Sequence, residues 1–249
     1  MNPAAACAVL LILAPILPAQ GSFQDLLASG TAHQVLEAIQ AGADVHSSDR
    51  SGVTPLMVAA ANNPDPAVEL LLLAAGARVD ERDWVDLTPL MYAARSNPQP
   101  EVVRTLVAAG AAADERDSAG ATALMYAAEF NPNPAVVEAL LAAGAQVDRA
   151  DPSGVTALMC ASESNPEPGV LRVLVDAGAR VNLKNVTGMT PLLFAAERAA
   201  NPDVLLLLLR AGADARAVGP RGETALTLAQ KNSRLQGTGA IEALARASR

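Results

Sequence analysis

"LTPLMYAARSNPQPEVVRTLVAAGAAADERDSAG", Leu87 to Gly120, decides how this chain folds. Thr88-Pro89 opens a short helix, with the threonine hydroxyl as a cap and proline tolerated at the first helical position. Leu90, Met91, Ala93 and Ala94 give that helix a small apolar face. Pro98 and Pro100 then interrupt it, since proline inside a helix removes a hydrogen bond and clashes with the preceding turn, at a cost of roughly 3 kcal/mol. Asn97 is expected to close the first helix in the left-handed conformation that asparagine tolerates. Pro100 starts a second helix, where Val102, Val103, Leu106 and Val107 form one stripe by their spacing of three and four. Gly110 ends it, at a position that commonly needs positive φ. Ala113 to Gly120 is polar and turn-rich, an extended loop or hairpin leading onward.

The same sentence is written again and again along the chain. Thr54, Thr88, Thr122, Thr156, Thr190 and Thr224 stand 34 residues apart, each followed by Pro or Ala and then Leu. Gly42, Gly76, Gly110, Gly144, Gly178 and Gly212 keep that step, each within Ala-Gly-Ala. Registered columns of this kind are the signature of a stacked repeat, each unit burying its apolar face on its neighbours. Asn-Pro-x-Pro recurs at Asn63, Asn97, Asn131 and Asn165, and Asn201-Pro202 keeps only the second proline. A ligand motif has no reason to track the helix boundary unit after unit, so the prolines are turn residues. Asp65 and Asn133 precede their prolines as good caps, whereas Gln99 and Glu167 are expected to cap less well and let their units fray sooner.

Composition agrees with this and excludes several functions. The chain has 249 residues, a net charge of −8 and only 2% aromatic residues. A thin core built from small contacts suits short stacked helices better than one large globular centre. The acidic balance argues against nucleic acid or an anionic membrane as partner, because both select basic surfaces. Ala4 to about Leu17 is apolar, with small residues around Ala19 to Ser22, so 1–21 reads as a signal peptide rather than a membrane span. Residues 1–6 contain no Lys or Arg, and the alternative is an uncleaved apolar segment on a cytoplasmic protein. Cys7 would leave with that segment, and Cys160 alone makes no internal disulfide.

The order Thr-Pro-Leu, paired alanines, a Val/Leu helix, Gly-Ala and then Asp…Asp…Gly resembles the ankyrin repeat. The resemblance covers 22–249: a degenerate leading cap (22–53), full repeats starting at Thr54, Thr88, Thr122, Thr156 and Thr190, and a trailing cap (224–249). It implies an all-α solenoid of helix-turn-helix units with hairpin-like fingers, acting as a non-enzymatic scaffold for a protein partner. Two features depart from the family pattern. Met57, Met91, Met125 and Met159 replace the histidine that ties neighbouring loops, so those ties are absent or replaced. The inter-helix turn is one residue longer than usual.

The resemblance also implies that contacts come from the finger tips and the exposed side of the first helices. The tip column is Arg50, Trp84, Ser118, Pro152, Val186 and Pro220. Exposed aromatic residues often anchor interfaces, so the candidate partner-binding patch is Trp84, Val85, Leu87, Arg95 and Phe130. The competing reading folds Trp84 over its neighbour and uses Phe130 to cover a gap, since isolated surface apolar residues are common. Asp86 replaces the column glycine and is expected to alter this finger. Glu129, Glu163 and Glu197 form an acidic row facing Arg82, Arg116 and Lys184, read as solvated surface with some pairing across the groove, or as a groove selecting a peptide.

Nothing assembles a catalytic constellation. His33 and His46 both sit in the leading unit, without metal-ligand spacing. The methionine column and Cys160 read as core, spaced too far from unit to unit for one metal, and no cofactor is implied. The expectation is therefore an exported protein, periplasmic or secreted and bacterial, monomeric, with no membrane contact after loss of the signal peptide. An inhibitor or immunity-type protein masking an enzyme, and a secreted effector binding foreign proteins, are the alternatives.

Overall fold

The computed structural model describes residues 23–249, so the segment read as a signal peptide lies outside the described residues. Helix pairs follow one another with the sequence step. The leading pair is α1 (Phe23–Ser29) and α2 (Ala32–Gln40). Five pairs follow: α3 (Pro55–Asn62) with α4 (Pro66–Ala74), α5 (Pro89–Ser96) with α6 (Pro100–Ala108), α7 (Ala123–Phe130) with α8 (Pro134–Ala142), α9 (Ala157–Ser164) with α10 (Pro168–Asp176), and α11 (Pro191–Arg198) with α12 (Pro202–Arg210). The trailing unit is α13 (Ala225–Ala229), a 3-10 turn at Ser233–Leu235 and α14 (Gly239–Ala247). Odd-numbered helices stack in one row and even-numbered helices in a second. Among the described residues the fingers carry only isolated bridges, Ala150 to Thr156 and Val218 to Thr224. The molecule is an all-α solenoid.

Its core is a continuous seam between the two rows. Leu90, Met91, Ala93 and Ala94 of α5 and Val102, Val103 and Leu106 of α6 are all buried, and their counterparts in other units repeat the arrangement. Alanine pairs let the first helices approach closely, and the Met column fills the gaps. From α3 to α13 each first helix begins with its threonine, whose hydroxyl accepts the N–H three residues on in every case but Thr156.

The asparagines of the turns behave differently from the expectation. Asn97 takes φ −92° and ψ 121°, an extended rather than left-handed conformation. Its side chain is what matters. Nδ2 donates to Ala60 O at 3.0 Å and Asn63 O at 2.7 Å, both in the preceding unit, while Oδ1 accepts from Gln99 N. Asn63, Asn131, Asn165 and Asn232 make the same pair of backward bonds. Buried carbonyls must find donors, and this ladder supplies them across unit boundaries. Ala199 breaks it, and Asn201 there keeps only the bond to Pro166 O, 3.1 Å, that Asn133 makes to Pro98 O beside the intact ladder.

Glu167 also differs from expectation, since its carboxylate accepts from Gly169 N at 3.1 Å and caps α10. Gln99 makes no side-chain cap bond, as expected.

Candidate interaction surface

Five of the fingers are built on an Asp or Asn, and the last has Gly219 in that place. Asp83 Oδ1 accepts from Val85 N and Leu87 N, and Asp49, Asp117, Asp151 and Asn185 repeat that turn. The missing histidine ties are replaced by bonds between successive fingers. Trp84 N donates to Ser51 O, Ser118 N to Val85 O and Val186 N to Ser153 O. Arg82 and Arg116 add side-chain bonds to Arg116 O and Ala150 O, both at 2.9 Å, and Arg82 pairs with Glu115. Arg82 and Arg116 therefore tie finger to finger rather than pairing across the groove.

Trp84 stands at a fingertip and is 78% exposed, with Val85 exposed beside it. The indole edge lies against Gly52 of the preceding finger, where a Cβ would meet Trp84 Cδ1 at 2.9 Å. Leu87 does not belong to the patch. It is only 8% exposed and packs in the core, because Asp83 folds its backbone inward through paired bonds. Asp86 keeps the glycine conformation, with φ 64°, and its N–H bonds Asp83 O just as Gly52 bonds Asp49 O. The finger therefore retains the shape of the others, with strain in place of distortion.

Arg95 and Phe130 meet although they belong to successive units. The guanidinium carbon of Arg95 lies 4.9 Å from the centre of the Phe130 ring, which is half exposed, and Tyr126 stacks beside it at 6.3 Å. Arginine over an aromatic face is attractive, so the three side chains hold one another in a shelf on the first-helix row. Trp84 makes no ring or cation–π contact with this shelf among the described residues. The expected patch is thus two clusters, a fingertip and a shelf.

Tyr126 and Tyr92, 34 residues apart, also brace the fingers. Their phenols donate to Asp117 Oδ2 and Asp83 Oδ2, at 2.6 and 2.8 Å, bracing finger against helix. Burial, and then the accepting carboxylate, push both phenols far above the ordinary tyrosine range. The spacing Asp-x8-Tyr was visible in the sequence as a signal for this brace. Cys160 takes the same place one repeat after Tyr126; it is partly buried against the core, as expected, and also lines a cleft with Phe130 and Glu129. In the acidic row, Glu163 pairs with Arg198, while Glu197 lies 3.8 Å from Arg198 and 3.6 Å from Arg221.

A family model described as ankyrin repeats (3 copies) matches residues 26–117 and 90–185, and one described as ankyrin repeats (many copies) matches 174–229. The crystal structure of the human ASB11 ankyrin repeat domain is similar, at 25% identity and a TM-score of 0.79, over 92% of this chain and 98% of that one. No curated protein matches the chain.

Proposed function

This chain belongs to the ankyrin-repeat family, and from that premise we propose that it is an exported, non-enzymatic scaffold that captures a protein partner through its fingers and the exposed side of its first helices. Ankyrin repeats generally mediate protein–protein interaction, while a shared fold leaves the partner to the surface chemistry. The observation that carries the reading is the exposure of Trp84 on a rigidly tied fingertip. A large apolar ring held in water gains by being covered, and pre-tied fingers lower the ordering cost of binding. The Arg95–Phe130–Tyr126 shelf offers a second anchor. No helix among the described residues is long and apolar enough to cross a membrane, and export rests on 1–21 acting as a signal peptide.

Affinity capture from the envelope fraction of the producing cell tests this, with a Trp84→Ala/Phe130→Ala variant as control. A partner retained by the native chain should be lost by the variant, since removing an interface anchor costs about 2 kcal/mol or more. Equal retention by both would refute the assigned patch. N-terminal sequencing of the same material should show a chain beginning near Ser22. A chain that begins at Met1 contradicts export by cleavage.

A further inference from the structure

Two of the finger aspartates are completed by a tyrosine nine residues later, Asp83 by Tyr92 and Asp117 by Tyr126. In the next repeat the tyrosine position is Cys160. Asp151 uses Oδ1 as its counterparts do, accepting from Ser153 N at 2.9 Å and Val155 N at 2.8 Å. Its Oδ2 receives no such phenol, and no other side chain among the described residues donates to it. The shorter side chain leaves a cleft of about 430 Å³, lined by Asp151, Cys160, Glu129, Glu163, Phe130 and Arg95 among others.

Three carboxylates, Asp151, Glu129 and Glu163, line it. Burial first, then the charges of Glu129, Asp151 and Glu163, raise the Cys160 thiol well above its ordinary range. Burial, and then Glu163, likewise lift Glu129, with Arg95 pulling the other way. Glu163 has Arg198 as its ion partner, while Glu129 has no ion pair among the described residues. Beside these charges stands the aromatic shelf, an apolar wall suited to a methylene stem.

We propose that this cleft receives a lysine or arginine side chain of the protein partner, the cation donating to Asp151 Oδ2 where the two preceding repeats place a phenol. The proposal rests on the protein-binding reading above and adds the chemistry of the partner. A partner's tyrosine would satisfy Asp151 alone, whereas a cation also answers Glu129, which has no ion pair among the described residues. A metal ion fits less well, because no group of three His, Cys, Asp or Glu side chains among the described residues is placed to hold one.

The decisive variant is Cys160→Tyr. It fills the cleft and caps Asp151 with a residue that the two preceding repeats already carry at that position. Glu129→Gln is the second, removing charge without volume. A displayed library of random peptides, panned on the full chain, supplies the probe. The native chain should select peptides that share a Lys or Arg. A synthetic peptide from that pool should bind about tenfold or more weakly to Cys160→Tyr, and the glutamine variant should weaken it and flatten its salt dependence. A pool without basic residues, a pool enriched in tyrosine, or equal binding by both variants would overturn the proposal. Peptides that depend on Trp84 and Phe130 but not on Cys160 would leave the scaffold reading standing and remove the cleft. A library from which the native chain retains nothing contradicts both.

Discussion

Asn131 donates its side-chain amide to the main-chain carbonyl of Asn97, 2.8 Å away and one repeat earlier, and Asn97 does the same to Asn63. These residues are buried, so each bond removes a carbonyl from an environment with no other donor. Asn131→Ala strands two carbonyls and the Asn133 N–H, and should lower stability by about 2–4 kcal/mol in urea unfolding. A loss below about 0.5 kcal/mol, the size of an ordinary surface substitution, would show that the ladder contributes nothing.

The gap at Ala199 makes the opposite prediction. Ala199→Asn should extend the ladder to the α9–α11 boundary and stabilise the chain by about 1 kcal/mol. It should also slow amide exchange in α11. Unchanged stability and exchange would mean that Asn201 already does the work there.

Asp86 holds φ 64°, and it alone among the described non-glycine residues takes a positive φ. A side chain there costs roughly 1–2 kcal/mol relative to glycine, less for Asp than for most residues. Asp86→Gly should therefore raise the melting temperature without moving Trp84 or Val85. A lower melting temperature would mean that its contact with Arg82, at 3.9 Å, outweighs the strain.

Glu69 interrupts a second-helix column otherwise held by Val35, Val103, Val137, Leu171 and Leu205. It is fully buried and neither carboxylate oxygen finds a hydrogen-bond partner. Burial, with the charge of Asp65 adding to it, lifts its carboxyl from 4.5 to about 7. Well below pH 4.5 Glu69 is protonated in both folded and unfolded chains and takes nothing from stability. As pH rises towards 7 the unfolded chain ionises first, so stability falls by on the order of 3 kcal/mol and then levels off. Glu69→Val should remove that slope and be more stable at pH 8. Parallel pH profiles for the two chains would contradict this.

The repeat was legible because it is written in columns: threonine, alanine pairs and glycine at one fixed step. The turn was legible as a turn, but the role of Asn97 was not. An asparagine before two prolines looks the same whether its backbone is left-handed or its side chain reaches into the preceding unit. Leu87 was misplaced for a related reason. A column assigns a position along the finger, while the inward fold made by Asp83 Oδ1 is a three-dimensional consequence of one side chain. Arg95 and Phe130 were each placed on the exposed side of the first helices, but their stacking crosses a unit boundary that sequence spacing does not describe. The Asp151 cleft is visible only as an absence, a cysteine where the two preceding repeats carry tyrosine.

The central claim is that recognition runs through the fingers and the first-helix row. Hydrogen exchange of the full chain, alone and with its captured partner, tests it most directly. The account predicts slowed exchange in the Asp83–Leu87 finger and in α5 and α7, with α6 and α8 unchanged. Protection confined to α6, α8 and α10, on the second row, would contradict it.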